Sequence, residues 1–426
     1  MATHKKRPTG LTALFGAAAI GAALMFSSVQ ANAHTLVPDT NPQTSETTIS
    51  VKPTQAATTA GATIIDLKEN PYDLSPAVNH IVTSTKEALA ADKKVIIMLG
   101  EDHSTTTNVH MAERIRAALQ KTGIKRPVMA KEMPNNFLEF LLPQIVPELD
   151  NEDFYERATK ALTTLKKEDP AQYRRLQSLS AAAFEFPEAP VTNLENLTTW
   201  IKNELDIRFI DIARGENDYS VAYHGNPETR NFIDKQQLPA IQQKEYIYLR
   251  GYTGVKLRNL WMIKAINEIL ADESNRVVIL QTGAIHLGGY HPKGFSYPNS
   301  LHGMFSKKAR DDIKVITLFP ENFGDTFENS FSAAAQESMN NKNTIILRNA
   351  DETQHVKTPD ASSLTEEIKS LKKISGKMKH VKTKEHYSSI RKEFKSALVH
   401  ELLSITAKYT PLKQENPKPR TAPMPN

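Results

Sequence analysis

Two apolar runs in this sequence end in glycine, two further residues and histidine. Val95 to Leu99 leads into Gly100-Glu101-Asp102-His103, and Val277 to Leu280 leads, through Gln281 and Thr282, into Gly283-Ala284-Ile285-His286. Imidazole changes charge near neutral pH and serves as general base, proton shuttle or metal ligand. In the first motif Glu101 and Asp102 stand beside His103. Such a group can bind a cation through Glu101 and His103, or use a carboxylate to orient and charge the imidazole. A polar surface turn can carry the same residues, so one motif alone says little; a second after another apolar run gives the pair its weight.

Further candidates lie between and after the two motifs. Glu132, in Lys131-Glu132-Met133-Pro134, follows the apolar run Val128 to Ala130. It could be a metal ligand or a general base, or simply a carboxylate favoured at a helix N-terminus. Arg258 and Asn259 precede the second histidine motif; the guanidinium could stabilise an oxyanion or a substrate carboxylate, and the amide could donate to nearby backbone. Arg230-Asn231 repeats the dipeptide and ranks second. His110 and His302 could be supporting groups or additional ligands, although each is also an ordinary polar residue. The sequence has no cysteine, which excludes disulfides, thiolate metal sites and a cysteine nucleophile. It also has no phosphate-binding glycine loop and no Gly-x-Ser-x-Gly elbow.

These side chains need elements that deliver them to one place. Val95–Leu99, Val128–Ala130, Ile207–Ile212, Val277–Gln281 and Val315–Phe319 read as strands, with Ile345–Leu347 a short further one. Helical spacing between the first two predicts a βαβ unit, with parallel pairing and a right-handed crossover. The expected fold is α/β, a central, mostly parallel sheet flanked by helices. Each glycine should permit a tight exit, and the histidines should reach the crevice at the strands' carboxyl ends, where open α/β sheets bind ligands. Residues 135–205 have three or more helical stretches and read as an insertion; following directly on Glu132, it should overhang the pocket as a lid or specificity element.

The ends of the chain have a different character. Lys5, Lys6 and Arg7 precede an apolar stretch from Leu11 to Phe26 and then Ala31-Asn32-Ala33, the pattern of a cleavable secretory signal over residues 1–33. The stretch is shorter than the roughly 20 residues of a membrane-spanning helix. Residues 34–63 are too poor in large apolar side chains to offset their ordering entropy and read as a linker. The core should run over 64–325, a connecting segment over 326–362, C-terminal helices over 363–410 and a tail over 411–426. Three of the 53 Lys and Arg precede Ala33, which leaves 50 against 48 carboxylates. Such a balance argues against a nucleic-acid partner. The basic cluster Lys372 to Lys384 reads as a solvated face.

In motif order the chain resembles the superfamily that groups the Tiki and TraB proteins, the ChaN haem-binding lipoproteins and the erythromycin esterases. The first half, with Gly100-Glu101-Asp102-His103, His110 and Glu132-Met133, looks ChaN-like or esterase-like. The second half, with Arg258-Asn259, Met262 and Gly283-Ala284-Ile285-His286, looks more Tiki-like. The resemblance covers roughly Val95 to Phe319 and leaves the helical insertion unmatched. It implies paired histidines and a glutamate lining one pocket, used for metal-dependent peptide hydrolysis, lactone opening or haem binding in different members. Fold alone does not choose among them.

The expected protein is therefore a secreted or periplasmic hydrolase acting on a peptide or small ester. Its catalytic set is Glu101, His103, Glu132, Arg258, Asn259 and His286. Glu101, His103, Glu132 and His286 are the donors for a divalent Mn, Co or Zn ion. The alternatives are a haem-binding protein using His103, His110 or His302, and an inactive core that binds a protein partner through the insertion or C-terminal helices. After signal cleavage no integral membrane segment is expected.

Overall fold

A computed structural model of the chain describes residues 57–58, 61–70, 73–101, 107–124, 126–145, 152–184, 191–215, 221, 223, 226–236, 252–288, 300–307, 311–320, 344–348 and 384–411. The signal pattern, most of the linker and the basic cluster before Lys384 lie outside these residues. No helix among the described residues is long and apolar enough to cross a membrane.

Eight strands form one sheet: β1 (Ala57–Thr58), β2 (Thr63–Asp66), β3 (Lys94–Glu101), β4 (Val128–Pro134), β5 (Ile207–Asp211), β6 (Val277–Gly283), β7 (Ile313–Pro320) and β8 (Thr344–Arg348). Their spatial order is β1-β2-β8-β7-β3-β6-β4-β5. Only β1 is antiparallel to its neighbour, so seven strands make a parallel sheet. Strands buried on both faces need continuous apolar sequence rather than alternation. Val95 to Leu99 and Val277 to Leu280 supply it, all almost fully buried.

The helices are α1 (Ser75–Ala90), α2 (Thr107–Lys121), α3 (Phe137–Ile145), α4 (Glu152–Glu168), α5 (Pro170–Phe184), α6 (Val191–Lys202), α7 (Pro227–Lys235), α8 (Tyr252–Ala271), α9 (Ala284–Gly288), α10 (Leu301–Lys307) and α11 (Lys384–Tyr409). One core layer joins α1 to α6 and α11 to the face carrying Val95, Ile97, Leu99, Val277 and Ile279. The other joins α8, α9 and α10 to Ile96, Met98, Val278 and Leu280.

Several expectations change here. β3 and β4 are not neighbours: the chain returns after β5 and places β6 between them, in register with both. The two histidine-bearing strands are therefore adjacent, with Val95 opposite Val277 and Glu101 opposite Gly283. Glu132 lies within β4 rather than past its end, because pairing to β5 runs on to Pro134 through an irregularity after Lys131. Ala57–Thr58 pairs with Thr63 and Ile64, so the sheet begins inside the stretch read as linker. At the other end β8 adds Thr344–Arg348, beyond the expected core. The insertion packs on the face opposite α8, behind the sheet from Arg258 rather than over it.

The two adjacent strands send their chains to opposite faces. From β3 the chain enters α2, whose Met111, Ala112 and Ile115 belong to the first layer. From β6 it enters α9, whose Ala284 and Leu287 belong to the second. That is a topological switch point, the place where open parallel sheets form a crevice at their carboxyl ends.

Candidate active site

Beside this switch point four of the expected residues meet, and a fifth joins them. Glu132 projects from β4, Asp211 ends β5, Arg258 and Asn259 sit in the second turn of α8, and His286 lies on α9. Asp211, Asn259 and His286 are at most 1 % exposed and Arg258 is 8 % exposed. Burying ions together is costly unless each is paired and hydrogen-bonded, and here each is.

Arg258 holds two carboxylates at once. Its Nε donates to Asp211 Oδ1 at 3.0 Å, and Nη2 donates to Asp211 Oδ2 at 2.8 Å and to Glu132 Oε1. Burial acts against the charged guanidinium, but the two carboxylates outweigh it and raise its pKa further. Burial likewise acts to raise the Asp211 pKa, and Arg258 with Arg214 overcomes it and holds the carboxyl below its ordinary value. Arg214 Nη2 lies 3.0 Å from Asp211 Oδ2, and the Ile212 amide donates to Oδ1 at 2.8 Å. The other Glu132 oxygen, Oε2, accepts from Thr282 Oγ1 at 2.8 Å and from the Gly283 amide at 2.6 Å.

Asn259 fixes the imidazole. Its Nδ2 faces the His286 carbonyl at 3.5 Å, and a carbonyl can only accept, so Oδ1 is the end turned to His286 Nδ1, 2.5 Å away. Nδ1 then carries the proton and Nε2 keeps its lone pair. Nε2 lies 3.1 Å from Glu132 Oε1 but off hydrogen-bond alignment, and it has no hydrogen-bond partner among the described residues. Burial lowers the His286 pKa; Glu132 offsets part of that and Arg258 adds to it, so the ring is a neutral base.

The remaining candidates fall elsewhere. Glu101 ends β3 opposite Gly283, but its side chain, His103 and the imidazole of His110 lie outside the described residues. His302, on α10, is fully buried and stacks on Phe319 of β7 with ring centroids 6.1 Å apart. Two strands, β3 and β6, separate β7 from β4. Arg230 is exposed on α7 while Arg258 is buried.

The glycines do different work from that expected. Gly100 and Gly283 are strand residues. A Cβ on Gly100 would stand 3.1 Å from Ala284 Cβ and 3.2 Å from Ala284 Cα. This glycine lets α9, and His286 with it, lie close against β3. Asp211, Arg214 and Thr282 were missed as site residues. For Asp211 a signal existed, an acidic residue closing an apolar strand run. Comparison with family models, with curated proteins and with solved structures finds no match.

Proposed function

We propose that this α/β protein is a hydrolase of an acyl bond, peptide or ester, in keeping with the superfamily its motifs resemble. The observation that carries the reading is the His286 ring: Asn259 fixes its Nδ1 proton, and the free Nε2 lone pair sits beside Glu132 at a sheet switch point. In this role Nε2 takes the proton of an attacking water, and Glu132 Oε1 stabilises the imidazolium that results. The proton then passes to the leaving group as the tetrahedral adduct collapses. Arg258 has committed Nε and Nη2 to the carboxylates. Its Nη1, which takes no partner among the described residues, supplies positive charge for the oxyanion.

The residues present do not fit a divalent ion shared with Glu132. Oε1 already takes Arg258, Oε2 takes Thr282 and Gly283, and a second cation beside the guanidinium would be repelled. We therefore read Arg258 as the cation of this site. The haem reading draws less support, since the His302 ring is enclosed against Phe319.

The test is hydrolysis of a panel of peptide and ester substrates by the purified protein before and after chelation. Activity should survive the chelator and fall at least about 100-fold in His286→Ala and Glu132→Gln, the usual loss for a general base and the group that supports it. Full activity in both variants would end the proposal. Loss on chelation with recovery on adding Mn, Co or Zn would return the site to metal chemistry.

A further inference from the structure

The outer edge of the sheet carries a second feature, independent of the hydrolase reading. Among the described residues β5 pairs on one side only, with β4. The Met129 amide donates to Asp206 carbonyl at 2.9 Å, and Met129 stands opposite Ile207. In a parallel ladder this turns the backbone groups of Asp206, Arg208 and Ile210 toward β4 and those of Ile207 and Phe209 outward. Along that outer edge, between α5 on one side and α8 on the other, runs a cavity of about 270 Å³.

Edge strands are commonly blocked by an outward-pointing charge, a proline or a covering element. The one long cation of β5, Arg208, is instead drawn back onto Asp206, with Nη2 2.6 Å from Oδ2. The groove wall also includes Asn135, whose buried Oδ1 has no hydrogen-bond partner among the described residues. The charges of the wall are unequal. Lys166, Arg174, Arg208 and Lys264 face Glu228 and Glu268. Lys264 pairs with both glutamates and the two arginines share Asp206. Lys166 has only the Tyr173 ring, 5.4 Å away, among the described residues.

We propose that this groove docks an extended acidic peptide, which adds to β5 as a ninth strand. Its backbone pairs with the outward N–H and C=O of Phe209, as in strand addition at a sheet edge. One peptide N–H donates to Asn135 Oδ1, and an acidic side chain meets Lys166.

The probe is a fluorescein-labelled heptapeptide that alternates glutamate with valine or threonine, followed by anisotropy with the full chain. Three comparisons define the mode: the same peptide with lysine for glutamate, the same peptide N-methylated at alternate residues, and the Lys166→Glu protein. The acidic peptide should bind saturably, and the lysine and N-methyl versions should not. Lys166→Glu should weaken binding about tenfold, an effect on the order of one desolvated charge contact. Hydrogen exchange at the Phe209 amide should be fast in the free protein and slowed by the acidic peptide. Equal binding of the N-methylated peptide, or no binding of any peptide, overturns the proposal. So does a Phe209 amide already protected without peptide, because the protein's own chain or a second copy would then cover the edge.

Discussion

Arg258 joins the two buried carboxylates of the site, of which Asp211 is also met by Arg214. Arg258→Met should destabilise by about 3–5 kcal/mol, the cost of leaving buried charge uncompensated. Arg258→Lys should not restore stability, since an ammonium cannot span both carboxylates as a planar fork does. Urea denaturation measures both. In the proposed role His286 is the base, and burial depresses its pKa, so the acidic limb of the rate profile should lie below 6.5. Asn259→Asp places a carboxylate on the Nδ1 proton, favours the imidazolium and should move that limb to higher pH. An unmoved limb would dissociate Asn259 from His286. His302 has a separate pH signature: burial lowers its pKa to about 4. Stability tied to its neutral ring is complete above the unfolded value of 6.5 and is lost as pH falls toward 4, by on the order of 3 kcal/mol. His302→Leu should therefore lose less stability between pH 7 and pH 4.5 than the unaltered protein. At this scale the sequence disclosed Glu132, Arg258, Asn259 and His286 by type and spacing. Asp211 was passed over although it closes an apolar strand run, because its partner, Arg258, comes from a helix 47 residues on.

At the level of elements, the close approach of α9 to β3 over Gly100 constrains where His286 stands. Gly100→Ala forces α9 outward by a few tenths of an ångström. The expected cost is about 1–3 kcal/mol, as for overpacking elsewhere, with a larger fractional loss of hydrolysis than of stability. A shifted urea midpoint with an unchanged slope, measured beside the rate, tests this. Strands β3 and β6 were legible because burial on both faces demands continuous apolar residues, and β7 by the mostly apolar run Val315 to Phe319. β4 was only half legible: Lys131 and Glu132 break its apolar run, although the backbone ladder continues through them. Strand order was not legible. Pattern marks a strand but not its neighbour, and β6 enters between β3 and β4 only after the insertion and two more helices have been made.

Across the whole molecule, the C-terminal helix binds the insertion to the sheet's first layer. Phe394, Leu398 and Leu402 of α11 are buried in that core. Tyr387 Oη donates to Glu195 at 2.9 Å, and Arg157 Nε donates to the Thr410 carbonyl at 2.9 Å. Deleting residues 384–426 should lower the melting temperature sharply, since each buried Leu or Phe contributes about 1.5–3 kcal/mol. A melting temperature unchanged by that deletion would show that α11 is not part of the core. The sheet itself has an order of assembly written into it. β8 lies between β2 and β7, so that Thr63 finds its parallel partner only at Ile345. A chain emerging N-terminus first must keep its second strand waiting until more than three quarters of its length has appeared, and β7 keeps a bare edge until the same moment. Completion of the fold is thus timed by the arrival of five residues near the end of the chain, a long-range closure that makes folding slow and leaves unfinished chains prone to pair with one another.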